Sequence, residues 1–365
     1  MNFFNMKKKI LSLLIALFIA LPLFAQPRGR IAIPDLKGYV TLKCDFHIHT
    51  VFSDGRVWPT VRVDEAYHEG LDAIAITDHI EYRPHKNDVV GSHNRSYEIA
   101  QARNRGIIVI RGAEITRPMP PGHFNAIFLT DVDELDKRNY MDVFRAAEAQ
   151  DAFIFWNHPG YEPQQPDVTL WWPEHTQLLE QGLMHGIEVV NGSVYSVEAH
   201  RWALEKNLTM LGNSDIHGPM RAFAPGEHRT MTLVFARSAT PEAIHEALTE
   251  RRTAVYFQEY IIGKEIYLKE LFENAVEITV TKTGNTVRIR FRNRSDLTFH
   301  LRKAEHDPRL TYLRSFTLTP YTIRPQNTQT ITVRLNEGIE GGDVNFIVEN
   351  LLVEPNTGMK YTVGI

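Results

Sequence analysis

The chain has 365 residues, of which 43% are hydrophobic and 23% are charged, with a formal net charge of −4 at pH 7. This composition is ordinary for a globular protein with one large core or two smaller ones, and it excludes a fibrous or wholly disordered chain. The negative charge provides no overall basic field, so a nucleic acid polymer is not expected as a partner. The single cysteine, Cys44, excludes an internal disulfide.

Residues 1–25 are predicted to be a signal peptide. A run of three lysines at 7–9 precedes an apolar run from Ile10 to Ala20, and Ala25 provides a small residue for cleavage. The competing interpretations are a membrane anchor and a buried N-terminal helix. The apolar run is short for a span of about 20 residues, and Pro22 would break a helix. We therefore expect an exported protein, periplasmic or extracellular, with no stable membrane anchor after cleavage.

A short leader over residues 26–40 is followed by alternating strand-like and helix-like segments over residues 41–270. Strands are indicated by β-branched and apolar runs at Leu42–Ile48, Ala73–Thr77, Ile107–Ile110, Phe124–Leu129, Ala152–Trp156, Gly186–Val190, Thr209–Leu211, Met231–Phe235 and Thr253–Phe257. Helical periodicity lies between them at Pro59–Glu69, Ser96–Arg105, Met141–Ala149, Val197–Lys206 and Thr240–Arg251. This alternation predicts an α/β domain with a mainly parallel sheet.

Beyond this domain, the pattern changes to period-two strands separated by turn residues. The predicted strands are Glu277–Thr281, Val287–Arg292, Thr298–Arg302, Arg314–Leu318, Gln329–Leu335 and Val344–Leu352. Because no helical pattern interrupts them, residues 271–365 are predicted to form a separate small all-β sandwich.

Histidine and carboxylate side chains lie at, or close to, the ends of successive predicted strands. They are His47, His49, Asp54, His79, Glu114, His123, His158, Asp215 and His217. All strand C-termini of a parallel α/β barrel open onto one face, so residues far apart in sequence are expected to converge there. His47 and His49 are two residues apart on one strand and therefore point to the same side.

Imidazole combined with carboxylate suits Zn, Mn or Fe, whereas a site made only of oxygen ligands would suggest Mg or Ca. The ordinary alternative for any single histidine is a surface or hydrogen-bonded residue. We expect that role for His68, His85, His93, His175, His185, His200, His245, His300 and His306.

The same segments resemble the motifs of the PHP family, the polymerase and histidinol phosphatase superfamily. The matching strings are His47-Ile48-His49-Thr50 with Ser53-Asp54-Gly55, Thr77-Asp78-His79, Gly112-Ala113-Glu114 with Asn157-His158-Pro159, and Ser214-Asp215-Ile216-His217. The resemblance covers residues 41 to about 260. It implies a distorted (β/α)7 barrel, with seven strands, that binds two or three divalent metal ions, and it says nothing about the leader or the C-terminal domain.

The resemblance also implies which residues hold each ion. The first ion would be held by His47, His49, Glu114 and Asp215. Glu114 would bridge to a second ion, held also by His158 and His123. A third ion would be held by Asp54, His79 and His217. The export signal, the string Gly122-His123-Phe124-Asn125-Ala126 and the added β-domain are most similar to secreted bacterial PHP phosphodiesterases.

The expected reaction is hydrolysis of a small phosphodiester by attack of a hydroxide that bridges two metals. Asp78 is expected to orient His79, Arg221 to clamp a phosphate oxygen and His228 to protonate a leaving group. The alternatives are a phosphomonoesterase, a carboxylic ester or carbamate hydrolase, and a non-catalytic metal-bearing binding protein. Homo-oligomerisation remains open.

Overall fold

The computed structural model describes residues 28–365 except 104, 222, 225, 305–306 and 314–319. The predicted signal peptide and the predicted strand Arg314–Leu318 therefore lie outside the described residues. Within the part of the chain that is described, no helix is both long enough and apolar enough to cross a membrane.

The N-terminal part of the chain alternates strands and helices. Its strands are β1 (Val40–Asp45), β2 (Ala73–Ile76), β3 (Ile108–Thr116), β4 (His123–Ile127), β5 (Phe153–Trp156), β6 (Gly186–Asn191), β7 (Val194–Tyr195), β8 (Thr209–Asn213), β9 (Met231–Ala236), β10 (Thr253–Phe257) and β11 (Tyr260–Gly263). Its helices are α1 (Pro59–Glu69), α2 (Arg95–Ala102), α3 (Tyr140–Glu148), α4 (Pro173–Glu180), α5 (Val197–Glu205), α6 (Pro241–Thr249) and α7 (Glu265–Ala275), with a 3₁₀ turn at Asp133–Leu135.

Seven strands form the barrel, in the order β1, β2, β3, β4, β5, β6 and β8. The ring closes between β8 and β1 through backbone hydrogen bonds just beyond the two strands. The Asp215 amide donates to the His47 carbonyl (2.9 Å), and the His49 amide donates to the Ile216 carbonyl (3.1 Å). Strands β9, β10 and β11 extend the sheet from the other edge of β1. The predicted distorted barrel is confirmed, and the predicted metal-ligand segments themselves close it.

Within the barrel, the sheet departs from the parallel arrangement at β4, which runs antiparallel to both β3 and β5. The extension through β9, β10 and β11 is also antiparallel, so the predicted mainly parallel pairing holds only for the other barrel strands. The connection from Thr116 to His123 is a short turn without a helix, and only antiparallel neighbours can be joined so directly. His123 therefore begins β4 directly opposite Thr116, where β3 ends. Because of this reversal, His123 lies at the start of its strand and yet at the edge of the barrel where the parallel strands end.

Helix boundaries follow the predicted signals closely. Helix α1 ends at Gly70, which adopts a left-handed conformation (φ 79°) and donates its amide to the last turn. The Thr240 hydroxyl caps α6 by accepting from the Ala243 amide (3.2 Å), and Pro241 occupies the first helical position. Two helices, α4 and α7, are absent from the predicted set, and α7 lies where the two predicted domains meet.

The C-terminal part is an all-β sandwich, as predicted. One sheet contains β12 (Val276–Thr283), β13 (Thr286–Asn293), β17 (Thr328–Leu335) and β15 (Leu310–Leu313). The other contains β16 (Tyr321–Ile323), β14 (Phe299–Lys303), β18 (Asp343–Glu354) and β19 (Thr357–Gly364). This second sheet is continuous with the barrel sheet, because Ile261 and Ile262 of β11 pair with Leu351 and Leu352 of β18.

The hydrophobic core continues across the boundary between barrel and sandwich. Phe272 of α7 packs edge-on against Phe299 of β14, with ring centroids 5.0 Å apart, and Phe291 packs in the same way against Phe346. These side chains are fully buried in one cluster that also includes Ile74 of the barrel. Sandwich and barrel are therefore packed as one body rather than joined by a linker.

His175 has the hydrogen-bonded role expected from the sequence. Its ring is buried, lies 3.7 Å from the Trp156 ring centroid, accepts from the Trp172 amide and donates to the Pro121 carbonyl. Burial lowers the pKa of His175 to about 4. Because the unfolded chain binds this proton with a pKa of about 6.5, the stability contributed by the neutral ring is present above pH 6.5 or so and is lost as the pH falls toward 4.

Replacing His175 by Gln should therefore flatten the acid side of the stability profile. Gln can keep the donor to Pro121 but cannot titrate. In urea unfolding near pH 7 and about pH 4.5, the wild type should lose about 2 kcal/mol more than His175→Gln between the two conditions. Equal losses in the two proteins would contradict this assignment.

Candidate metal centre

Four donor atoms from three parts of the chain meet at the C-terminal ends of the barrel strands. The Nε2 atoms of His47 and His49 lie 3.1 Å apart. Glu114 Oε2 lies 3.4 Å from the first and 3.2 Å from the second. Asp215 Oδ1 lies 3.2 Å from His47 Nε2 and 3.1 Å from His49 Nε2. We call this set the first ligand group.

The mutual distances in the first ligand group match the shell of one metal ion. Four ligands placed tetrahedrally at 2.0–2.2 Å from a metal are separated from one another by about 3.3–3.6 Å. The separations here, 3.1–3.4 Å, are close to that range. An imidazole–carboxylate set of this size suits Zn, Mn or Fe.

Two further groups adjoin the first. In the second ligand group, Glu114 Oε1 lies 2.8 Å from His123 Nδ1 and 3.6 Å from His158 Nε2. In the third ligand group, Asp54 Oδ1 lies 3.4 Å from His79 Nε2 and 3.2 Å from His217 Nε2. All nine metal-ligand residues predicted from the sequence are thus gathered in one place, including His123.

Glu114 joins the first and second groups because its two oxygens face different sets of imidazoles. Oε2 faces His47 and His49, whereas Oε1 faces His123 and His158. His49 has a similar position between the first and third groups, since its Nδ1 lies 3.8 Å from Asp54. Glu114 is therefore placed so that it would contribute one oxygen to an ion in each of the two groups.

The carboxylate oxygens give a test of whether metal ions fit this site. Both oxygens of Glu114, Asp215 Oδ1 and Asp54 Oδ1 are buried and have no hydrogen-bond donor. Histidine nitrogens lie near them, but not with the alignment that a hydrogen bond requires. Buried anionic oxygens without donors are costly, and convergence on cations removes that cost. The residues therefore fit divalent ions.

The charges of the group interact strongly even without a metal. Burial by itself would lower the pKa of His47, but Asp215, Glu188 and Glu114 raise it well above its usual value. Burial would raise the pKa of Glu114, yet His79 and His47 hold it well below its usual range. Carboxylates likewise outweigh burial at His79 and raise its pKa to about 10. Metal binding must therefore displace protons from these rings.

The backbone at the centre is held in conformations that most residues avoid. His158 and Asp215 both have positive φ angles, 30° and 51°, which cost energy for residues with a Cβ. The turn that carries Asp54 passes so close to the barrel that a Cβ on Gly55 would lie 2.6 Å from the His49 backbone. Glycine is required there for Asp54 to reach the third ligand group.

Glu188 is a buried carboxylate that the sequence analysis missed. It lies in β6, accepts from His47 Nδ1 (2.9 Å) and Asn213 Nδ2 (2.9 Å), and receives the His158 amide (2.8 Å) on its other oxygen. A carboxylate behind a ligating histidine fixes the ring orientation and tautomer. The signal was present in the string Gly186-Ile187-Glu188-Val189-Val190, where an acidic residue interrupts an apolar strand.

Arg62, in α1, is a second missed residue and is fully buried beneath the first and third groups. Its guanidinium donates to the carbonyls of His49 (2.9 Å), His217 (2.9 Å), Ile216 (3.0 Å) and Gly218 (2.8 Å). One side chain thereby fixes the separation between the β1 end and the segment that carries His217.

Asp78 has a different role from the one expected. Its carboxylate accepts from the Thr50 amide and hydroxyl (both 2.7 Å) and from the Ser53 hydroxyl (2.6 Å). His79 Nδ1 instead lies 2.6 Å from Thr116 Oγ1. Asp78 therefore orders the turn after β1 and does not orient His79. The reason is geometric, since Asp78 directs its side chain to the neighbouring strand end.

The structure does not bring Arg221 or His228 into the metal centre. The Arg221 side chain is three-quarters exposed and lies beside Glu227 and over the Phe223 ring. His228 stacks on Tyr256 with ring centroids 3.7 Å apart, and both its nitrogens face backbone carbonyls. Both residues line a separate cavity of about 770 Å³ that contains none of the predicted metal-ligand residues. Proximity in sequence to His217 was a poor guide.

Comparison with known proteins identifies two family models in the chain. A PHP domain model matches residues 45–305, and an Ig-like domain model matches residues 273–364. The first covers the barrel and all three ligand groups, and the second covers the sandwich.

Two relatives illustrate the similarity. A crystal structure of a two-domain protein from Bacteroides vulgatus, described as containing a predicted PHP-like metal-dependent phosphoesterase, is 54% identical with a TM-score of 0.90. The match covers 93% of this chain and all of the other. An uncharacterized protein from Methanocaldococcus jannaschii is 29% identical over 194 residues, which is 49% of this chain and 83% of that protein.

Replacing Glu188 by Gln should weaken metal binding without removing a ligand. The amide keeps the size of the side chain but removes the charge behind His47, and such changes typically cost about 10- to 100-fold in affinity. Competition titration with a zinc chelator dye measures this loss, with the exposed Glu205→Gln as the matched control. An affinity equal to that of the control would rule out this role for Glu188.

Replacing Arg62 by Lys should release the third ion first. An ammonium cannot reach four carbonyls at once, so His217 and His49 would lose their fixed separation. Elemental analysis after gel filtration should show about one ion per chain fewer in Arg62→Lys than in the control Arg201→Lys, which changes an exposed arginine. The circular dichroism spectra of the two variants should be the same. An unchanged metal content in Arg62→Lys would show that the clamp is dispensable.

Proposed function

Since the chain belongs to the PHP domain family, we propose that it is a metal-dependent phosphoesterase whose substrates are small phosphodiesters. The observation that carries this proposal is Glu114, whose two oxygens face two adjacent ligand groups. Paired metal sites of this kind are the usual means of stabilising both the attacking and the leaving oxygen in phosphoryl transfer.

Each part of the centre has an assignable role in this proposal. The first group would hold one ion, the second group an ion that shares Glu114, and the third group an ion nearer solvent, where the His217 side chain is 36% exposed. When bound, such ions lower the pKa of water and neutralise charge on phosphoryl oxygens. Glu188 fixes the His47 ring by accepting from its Nδ1.

The position of Arg221 supports a diester rather than a monoester. Its side chain is exposed and lines a cavity separate from the metal centre. A diester carries one negative charge and depends less on a guanidinium clamp than a monoester dianion does. A monoester dianion would gain from the cationic clamp that was expected of Arg221, and Arg221 lies elsewhere.

The rim of the centre also suits a substrate with organic groups on both sides of phosphorus. Tyr161 stands edge-on to His158 of the second group, with ring centroids 5.0 Å apart. Tyr82 stands edge-on to His79 of the third group at 6.0 Å. Both tyrosines are about half exposed, so each offers apolar surface to an alkyl or aryl group at a different end of the centre.

Export to the periplasm or the cell exterior is a further part of the proposal, and it rests on the signal-like residues 1–25. The native ions are proposed to be Zn, Mn or Fe, because the same imidazole and carboxylate ligands accept all three.

Hydrolysis of bis(p-nitrophenyl) phosphate with added Mn or Zn tests the proposal. We expect turnover that a chelator abolishes, slower release from p-nitrophenyl phosphate, and little from p-nitrophenyl acetate. Asp215→Asn should lower kcat/KM by about 100-fold or more, because it removes a charged ligand of the first group. The exposed Arg221→Ala should retain wild-type rates.

Each other outcome selects an alternative. A preference for the monoester favours a phosphomonoesterase, and a preference for the acetate favours a carboxylic ester hydrolase. Silence with every metal would support a non-catalytic metal-binding protein and would contradict the proposal.

A further inference from the structure

The described residues on the outer face of one sandwich sheet are almost exclusively arginine and threonine. This face belongs to β12, β13, β17 and β15, and its side chains alternate with those of the core. Its members are Glu277, Thr279, Thr281, Thr283, Thr286, Arg288, Arg290, Arg292, Thr328, Thr330, Thr332, Arg334, Thr311 and Leu313. We call it the arginine–threonine face.

The arginines form a line along the central strand. Arg288, Arg290 and Arg292 are alternate residues of β13, so they project from the same side about 6.8 Å apart along the strand. Arg334 lies directly opposite Thr286 on the neighbouring strand and extends the line. All four side chains are exposed.

No acidic residue opposes the middle of this line. Arg288 lies between Thr281 and Thr332, and Arg290 lies between Thr279 and Thr330. Among the described residues of the face, the one carboxylate is Glu277, which stands at its end. It lies 3.9 Å from Arg292 and pairs more closely with Arg294. The side chains of Arg288, Arg290 and Arg334 have no hydrogen-bond or ion-pair partner in the part of the chain that is described.

Such a row costs energy that the chain itself does not offset. Exposed sheets ordinarily neutralise a charge with an opposite charge across the strands, and like charges side by side repel. Here four cations and one anion occupy one face of a chain whose net charge is −4. A concentrated positive surface on an acidic protein favours an anionic partner.

We propose that the arginine–threonine face binds a linear acidic polysaccharide. Guanidinium groups pair bidentately with carboxylate or sulfate, and the flanking threonine hydroxyls can donate to and accept from sugar hydroxyls. The regular spacing of the arginines suits an extended polymer with repeated charges. The face is independent of the metal centre, so this inference does not rest on the proposed hydrolytic function.

The composition of the face disfavours the other anionic polymers. Single-stranded nucleic acid is usually bound by aromatic side chains on which bases stack, and the described residues of this face include no aromatic side chain. Stable membrane binding needs inserted apolar side chains in addition to basic charge, and the only apolar side chain among them is Leu313, at the edge.

Binding of the full chain to immobilised polygalacturonate and to heparin tests the proposal. We expect saturable binding to at least one of them that weakens as salt is raised. The double variant Arg288→Glu with Arg290→Glu should bind about tenfold or more weakly. A matched double variant, Arg145→Glu with Arg201→Glu, changes exposed arginines on barrel helices and alters the net charge equally, and it should bind within about twofold of wild type.

Both double variants should unfold cooperatively within a few degrees of the wild type, because all four replaced side chains are exposed. The control loses only the exposed pair between Arg145 and Asp142 (3.7 Å), and the face variant loses only repulsion between neighbouring arginines. The proposal is overturned if neither polysaccharide binds, or if the two double variants weaken binding equally. It is also overturned if an oligothymidylate or phosphatidylglycerol vesicles bind more tightly than either polysaccharide.

Discussion

The central constraint on this structure is the convergence of carboxylates in a buried place. Glu114 is almost completely enclosed, and Asp215 points at the same pair of imidazoles. Neither carboxylate finds hydrogen-bond donors for the oxygens that face inward. Charges buried in this way are tolerated when cations compensate them. The need to compensate them explains why histidines surround the carboxylates. Polar side chains behind the rings, such as Glu188 at His47 and Thr116 at His79, hold those histidines in place.

Barrel closure and ligand placement depend on each other. Two backbone hydrogen bonds join the ends of β8 and β1. Asp215 donates to His47, and His49 donates to Ile216. Arg62 reinforces the same junction from below with bonds to carbonyls on both sides. A change that loosens the junction would therefore disturb the ligands, and loss of the ions would remove attraction across the junction. Metal binding and barrel stability are linked for this reason.

The sequence was most informative where one local rule applied. Alternating segments predicted the barrel, and histidines and carboxylates near strand C-termini predicted eight of the nine gathered residues. His123, which precedes its predicted strand, was expected at the site only from the family resemblance. The rule failed where tertiary geometry decides. His123 joins the centre because β4 reverses direction, which strand propensity does not report. Asp78 turns to the adjacent strand end, and Arg221 and His228 diverge into another cavity although they follow His217 closely in sequence.

Residues behind the ligands were also hard to predict, for a different physical reason. Glu188 acts through a ring nitrogen and Arg62 acts through backbone carbonyls of other residues. Their most distant partners are 141 and 156 positions away. The sequence signal for Glu188 is a charged residue within an otherwise apolar strand. The arginine–threonine face was missed for another reason. The net charge of the whole chain does not show how charge is distributed between the barrel and the sandwich.

Anomalous diffraction from crystals grown with Mn or Zn tests the central claim most directly. The account predicts scatterers on both sides of Glu114, within about 2.0–2.3 Å of the ligand atoms named for the first and second groups. Crystals that keep Glu114 and Asp215 converged with no scatterer between them at saturating metal, or with scatterers bound only elsewhere, would contradict it.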